Sequence, residues 1–344
     1  MRYWFLLLTG IPLIIMMTNC NSKTTPSAGL GSGRTAIGQI IRHNVELAKT
    51  LLPDSARLEV LSEGFEWSEG PLWVPSENML LFSDIPVNTI YKWTEKNGIE
   101  QYLKPSGYTG ESDRGGETGS NGLTLDRQGR LILCQHGDRR IARLESPWAA
   151  PMPNYVTIAD RWEGKRFNSP NDAIVDSRGR LLFTDPPYGL EKLTDDPARE
   201  LNFQGVYMID TNGLLTLLTD ELSRPNGLAL SPDEKILYVA NSDPEKAIWM
   251  AYTVDENMHI TSKKVFYDAT SLVPTFKGLP DGLKVHPQGF IFATGPGGVL
   301  VFTPDAELIA TINTGEATAN CAFNEDFSTL FITADMYLLQ LKLK

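Results

Sequence analysis

Six polar residues recur along the chain at the head of one shared pattern: Glu69, Asn121, Asn171, Asn226, Asp281 and Asn320. They are spaced by 52, 50, 55, 55 and 39 residues, and each precedes a second polar residue or glycine by 14 or 15 positions. Those partners are Asp84, His136, Asp185, Asn241, Gly295 and Asp335. The leading set offers two carboxylates and four amides, with no Cys or His. Oxygen-only donors suit a hard cation, Ca²⁺ first and Mg²⁺ or Mn²⁺ next, and two carboxylates would neutralise a divalent charge. The alternative is turn chemistry, in which Asn or Asp beside Gly caps backbone groups. That gives no reason for a Glu, so Glu69 and Asp281 in an otherwise Asn pattern favour a metal.

Such a set acts together only if the fold brings it together. Each leading residue opens a short apolar run, followed by a turn and a second run. Asn171-Asp-Ala-Ile-Val-Asp leads through Gly179 to Leu181-Leu-Phe-Thr-Asp185, and Asn226-Gly-Leu-Ala-Leu leads to Ile236-Leu-Tyr-Val-Ala-Asn241. Further strand-like runs follow: Ile141–Leu144 and Tyr155–Ile158, Val206–Ile209 and Leu214–Leu218, Ala247–Tyr252 and Lys264–Tyr267. Four strands in a repeat of this length predict a β-propeller blade. The fold class is therefore all-β: one six-bladed propeller of four strands per blade. The last repeat has only Tyr337–Leu343 to follow it, while Arg57–Leu61 stands unused ahead of the first. The expectation is that this early strand completes the sixth blade and removes an open edge. The leading residues would then ring one end of the central channel.

Composition agrees. The chain has 344 residues, 29 glycines and 22 prolines, as a turn-rich fold requires. Its net charge of −11 and lack of basic runs argue against nucleic acid as a partner. Cys134 and Cys321 lie in separate strand patterns, with no Cys/His cluster for zinc, and are expected to be free and buried. There is no G-x-S-x-G elbow and no H-E-x-x-H, which argues against a serine hydrolase or a zincin.

The first residues read as an address. Arg2 precedes an apolar run from Tyr3 to Met17, too short to span a membrane and suited to a signal peptide. It ends at Met17-Thr-Asn-Cys20, which resembles the lipobox of bacterial lipoproteins and departs from it at Met17 and Asn19. That resemblance implies lipidation at Cys20, export, and a periplasmic or outer-membrane location, with a lipid anchor as the one membrane contact. Residues 1–20 are the signal segment, 21–36 a flexible linker, and 37–344 the propeller domain. One short helix is expected over residues 37–52, from the spacing of Ile37, Ile40, Ile41, Val45, Ala48, Leu51 and Leu52.

Ser68-Glu-Gly-Pro-Leu-Trp73, Phe167-Asn-Ser-Pro-Asn-Asp172, Phe183-Thr-Asp-Pro-Pro-Tyr-Gly189, Pro225-Asn-Gly-Leu-Ala-Leu-Ser-Pro-Asp233 and Pro280-Asp-Gly-Leu283 resemble the gluconolactonases, grouped with regucalcin (senescence marker protein) and luciferin-regenerating enzyme. The resemblance runs from about residue 57 to 344. It implies a six-bladed propeller, a divalent metal, usually calcium, and hydrolysis of a lactone, typically a sugar lactone. By that resemblance Glu69, Asn171, Asn226 and Asp281 would hold the metal, with Asn171 also a possible substrate contact, and Asp281 would be the base. Asn121, His136 and Asn320 are then expected to touch substrate.

Other residues are open to two readings. His136, the one His at a strand-end position of the repeat, is a substrate contact or second base, as in the paraoxonases, or a hydrogen-bonded His near the channel mouth. The polar loop at residues 105–120 is a lid or a surface decoration. Arg114, Arg166 and Tyr188 are candidates to hold sugar hydroxyls or a carboxylate. The rival functions are a non-catalytic propeller that binds sugar or protein, and a paraoxonase-like esterase. No protein partner is evident.

Overall fold

The computed structural model describes residues 34–344. The expected signal segment, Cys20 and most of the expected linker lie outside the described residues. Six antiparallel sheets account for nearly all of the rest. Their innermost strands are Ser68–Val74, Ser120–Leu125, Ala173–Val175, Pro225–Leu230, Leu283–Val285 and Thr318–Phe323. Each packs against the next, and the last packs against the first, closing a ring.

The second strand of each blade is sandwiched between two neighbouring blades. It therefore reads as an unbroken apolar run rather than an alternating one. Leu80, Leu81 and Phe82 are all fully buried, as are Leu182 and Phe183. Aromatic rings fill the wedge between blades: Phe65 meets Phe82 edge-on at 4.9 Å, and Phe167 meets Phe183 edge-on at 5.3 Å. Truncating one such ring to Ala would cost about 3–5 kcal/mol.

The ring is closed as the strand count requires. Leu58–Glu63 pairs antiparallel with Tyr337–Lys342 and supplies the sixth blade with its fourth strand. Cys134 and Cys321 are free and buried. Burial pushes the Cys321 thiol up to about 12, so it stays protonated.

The N-terminal helix is shorter than expected. It spans only Val45–Leu51, capped by the side chain of Asn44, which accepts from Leu47 N at 3.2 Å. Ahead of it, Ala36–Ile37 pairs with the outer edge of the sixth blade and Gln39–Arg42 with Leu308–Asn313 of the fifth. Gly38 turns between them at φ +64, with its Cα close to the carbonyl of Asn313. The β-branched Ile37, Ile40 and Ile41 mimic helical spacing. Two open sheet edges nevertheless offer them partners that an isolated helix lacks. The fold also reaches back before residue 37, because Arg34 is ion-paired with Glu95 at 2.7 Å. Among the described residues no helix is long and apolar enough to cross a membrane.

Candidate active site

The innermost strands are irregular where the repeat residues sit. Register shifts fall between Glu69 and Leu72, Ser120 and Leu123, Pro225 and Leu228, and Thr318 and Asn320. Asn171 and Asp281 lie just before their strands, which start at Ala173 and Leu283. A bulge breaks the alternation of side chains and re-aims one of them. In this fold it turns the polar residue toward the channel end while the apolar strand continues into the core.

The glycine after most of these residues allows the strands to come close. A Cβ on Gly70 would lie 2.1 Å from the carbonyl oxygen of Asn121, and one on Gly227 would lie 2.3 Å from that of Asp281. Side chains there would push neighbouring blades apart at the narrowest part of the ring.

The strand-end residues of the repeat hold the approach to the ring. Asp84 accepts from the backbone N–H of Trp67 at 3.0 Å, and Asp185 from those of Asn168 and Ser169 at 2.8 and 2.7 Å. Asn241 Oδ1 accepts from Arg224 N at 2.8 Å. Each fixes the backbone two or three residues ahead of Glu69, Asn171 or Asn226.

Glu69, Asn121, Asn171, Asn226 and Asp281 line one cavity of about 480 Å³. Trp67, Val273 and Phe276 form an apolar wall, and Glu117, Tyr188 and Arg224 add polar groups. Three oxygens of the ring are buried without a hydrogen-bond partner: Oδ1 of Asn121, Oδ1 of Asn171 and Oδ1 of Asp281. Leaving such a group unsatisfied costs about 1–3 kcal/mol. Burial drives the Glu69 carboxyl up to about 8, opposed by the N–H of Gly70 and reinforced by the charge of Asp172. The Asp281 carboxyl is pushed well above the usual carboxylate range, by burial first and then by Glu69, Asp172 and Glu117.

The ring suits a hard divalent ion, because it presents oxygens only, two of its residues are carboxylates and three of its buried oxygens have no hydrogen-bond partner. Among the described residues no three His, Cys, Asp or Glu side chains are grouped to hold a metal, so amide oxygens must complete any such site.

Two expected substrate contacts are elsewhere. Asn320 does not line the cavity. It lies beneath, donating from Nδ2 to Glu69 Oε2 at 3.3 Å and accepting at Oδ1 from Lys284 Nζ at 3.2 Å. Its strand is drawn under the floor because Gly282 leaves room for its amide. His136 is fully buried and does not line the cavity. Its Nε2 is 3.4 Å from Asn171 Nδ2, and its Nδ1 is 2.8 Å from Glu117 Oε2. It reaches the cavity only through those two residues. Arg114 and Arg166 open onto a different pocket, whereas Tyr188 does line this one.

Four residues escaped the sequence reading. Glu117 arrives on the long loop and Arg224 precedes the Pro225-Asn226 pair, so neither has a place in the repeat. Asp172 and Lys284 lie below the ring with Asn320. Asp172 carried a signal, since it occupies a position that is Gly70, Gly122, Gly227 and Gly282 in four other units.

The loop at residues 105–120 is tied down. Asn88 Oδ1 accepts from Gly107 N at 2.7 Å, and Gly115 N donates to Glu191 at 2.8 Å. It carries Glu117, which lines the cavity.

Comparison with known proteins gives the same picture. A gluconolactonase of Zymomonas mobilis is 39% identical over 322 residues, covering 90% of this chain and 87% of that one. The solved structure of a gluconolactonase from Xanthomonas campestris superposes with a TM-score of 0.77 at 31% identity, over 91% of this chain and 98% of that one. A regucalcin from Agrobacterium tumefaciens shares the fold, with a TM-score of 0.63 at 18% identity over 83% of this chain and 94% of its own. The family model for the SMP-30/gluconolactonase/LRE-like region matches residues 67–335, which takes in all six repeat residues. This chain belongs to that family.

Proposed function

We propose that the chain is a lactonase, which opens a sugar lactone to its hydroxy acid with water as the nucleophile. The observation that carries this reading is the convergence of five repeat residues on one cavity, three of them with buried oxygens that have no partner. The gluconolactonases similar over nearly the whole chain support the substrate class.

The residues that would hold a divalent cation, Ca²⁺ by preference, are Glu69, Asn171, Asn226 and Asp281. When bound, such an ion polarises a carbonyl and lowers the pKa of water. Asp281 is the base. Its carboxylate takes a proton from the attacking water as the new C–O bond forms, and returns it to the ring oxygen when the lactone C–O bond breaks. Asn121 orients the substrate from the rim. Trp67 and Phe276 offer apolar faces to a sugar ring and shield the reacting carbonyl from bulk water.

The test is hydrolysis of a panel of aldonolactones by the purified protein, first with EDTA and then with Ca²⁺, Mg²⁺ or Mn²⁺ restored. Turnover should require a cation and fall at least about a thousandfold in Asp281→Asn, a loss within the range that general-base catalysis supplies. A folded protein without turnover under any of these conditions would sink the lactonase reading in favour of a binding propeller.

We also infer export with lipid attachment at Cys20, from Arg2, the apolar run at residues 3–17 and the Cys that follows. Radiolabelled palmitate should enter the wild-type chain expressed in a bacterial host and not Cys20→Ser. Equal labelling, or none in either, would refute it.

A further inference from the structure

A second pocket of about 340 Å³ is lined by Arg114, Arg139, Arg166 and Lys192, with Glu191 and Asp196. It shares no lining residue with the catalytic cavity. Among the described residues, none of its three guanidiniums is ion-paired. Arg114 donates to the carbonyls of Gly137 and Gly189. Arg139 donates to those of Phe167, Asn168 and Ala198, at 2.8, 3.0 and 2.8 Å. Arg166 donates to that of Asp138 at 2.7 Å. The nearby carboxylates bond backbone N–H groups: Glu191 takes that of Gly115, Asp196 those of Lys192 and Ala198, Glu200 that of Arg166, and Asp185 those of Asn168 and Ser169, so that Asp185 and Glu200 act on Arg139 by charge without a direct hydrogen bond.

Arg139 is the sharpest of these features. It is only 4% exposed, and its Nη2 is buried with no hydrogen-bond partner. A buried guanidinium with unused N–H groups, flanked by two more, is expensive unless an anion completes it. Guanidinium forks match the paired oxygens of carboxylates and phosphates.

We propose that this pocket binds a small oxyanion, a phosphate or a carboxylate, held by Arg114, Arg139, Arg166 and Lys192. The site also adjoins the catalytic cavity through the chain. Arg114 stands three residues before Glu117, which meets His136. An anion on Arg114 therefore anchors the loop that carries Glu117.

The experiment is calorimetric titration of the purified protein with sodium phosphate and, separately, sodium gluconate, at ionic strength held constant with sodium chloride. One saturable site per chain is expected for at least one anion, weakened tenfold or more in Arg166→Gln and in Lys192→Gln. Saturation by phosphate alone marks a phosphate site. Saturation by gluconate marks a carboxylate site able to take a hydroxy-acid product. Asp281→Asn should bind the anion as wild type does. No saturable binding of either anion, binding unchanged in both pocket variants, or loss of binding in Asp281→Asn would each overturn the proposal. Lys192 is exposed, so its variant tests the site even if Arg166→Gln folds poorly.

Discussion

Nδ2 of Asn320, in the last blade, donates to Oε2 of Glu69, in the first, at 3.3 Å. The same nitrogen lies 3.5 Å from Asp172 Oδ2. One amide thus closes the ring and separates two buried carboxylates. It takes this position because it can donate to both while its oxygen receives Lys284. Asn320→Asp would put a third carboxylate where a donor is required, in a space walled by Gly282. The expected loss is about 3 kcal/mol or more at neutral pH, since an uncompensated buried charge costs that much. Urea unfolding would measure it, and a loss below about 0.5 kcal/mol would show that the contact matters little.

Glu69→Gln should move two quantities in opposite directions. Without a cation, Glu69 is a buried carboxyl among Asp172 and Asp281. Replacing it by an amide relieves repulsion and desolvation, so the cation-free protein should melt at a higher temperature. The gain in melting temperature on adding Ca²⁺ should shrink or vanish, because ligand stabilisation follows affinity through RT ln(1 + [L]/Kd). Calorimetry with EDTA and then with Ca²⁺ reads both. A variant that melts lower with EDTA yet keeps the full Ca²⁺ shift would remove Glu69 from the cation site.

His136 should behave as a positioning residue. It is separated from the cavity by Asn171 and Glu117, so no substrate atom reaches its ring. His136→Gln should lower kcat by about tenfold with KM little changed, far short of the loss expected from Asp281→Asn. A loss as large as that of Asp281→Asn would return His136 to the role of second base.

The blades were legible because a propeller repeats its physics. Every second strand sits between two neighbours and must be apolar throughout, so Leu181-Leu-Phe183 and Ile236-Leu-Tyr-Val239 stand out without any knowledge of contacts. Glu69, Asn121, Asn171, Asn226 and Asp281 were legible for the same reason, since each heads the innermost strand of its blade at the same place in the repeat. What the repeat does not encode was missed. Glu117 comes from an insertion, Arg224 from a segment set by Asn241, and the pairing of Ile40 and Ile41 from an edge formed more than 260 residues later. Asn320 kept the register of the ring but does not line its cavity. Its depth depends on Gly282 in the neighbouring blade, which no spacing within its own unit reveals.

Asp185 gives the site a pH-dependent support. It is fully buried and accepts from Asn168 and Ser169 just ahead of Asn171. Burial pushes its carboxyl from 3.8 up to about 7, against those hydrogen bonds and the charge of Arg139. The folded state therefore holds this proton more tightly than the unfolded chain does. Its contribution to stability is greatest at acid pH and declines as pH rises from near 4 to about 7, by roughly 1.4 kcal/mol per unit at most. Asp185→Asn does not titrate, so the wild type should exceed the variant by more at pH 5 than at pH 8. Urea midpoints at the two pH values test this, and an equal gap at both would mean that Asp185 is already ionised in the folded protein at pH 5.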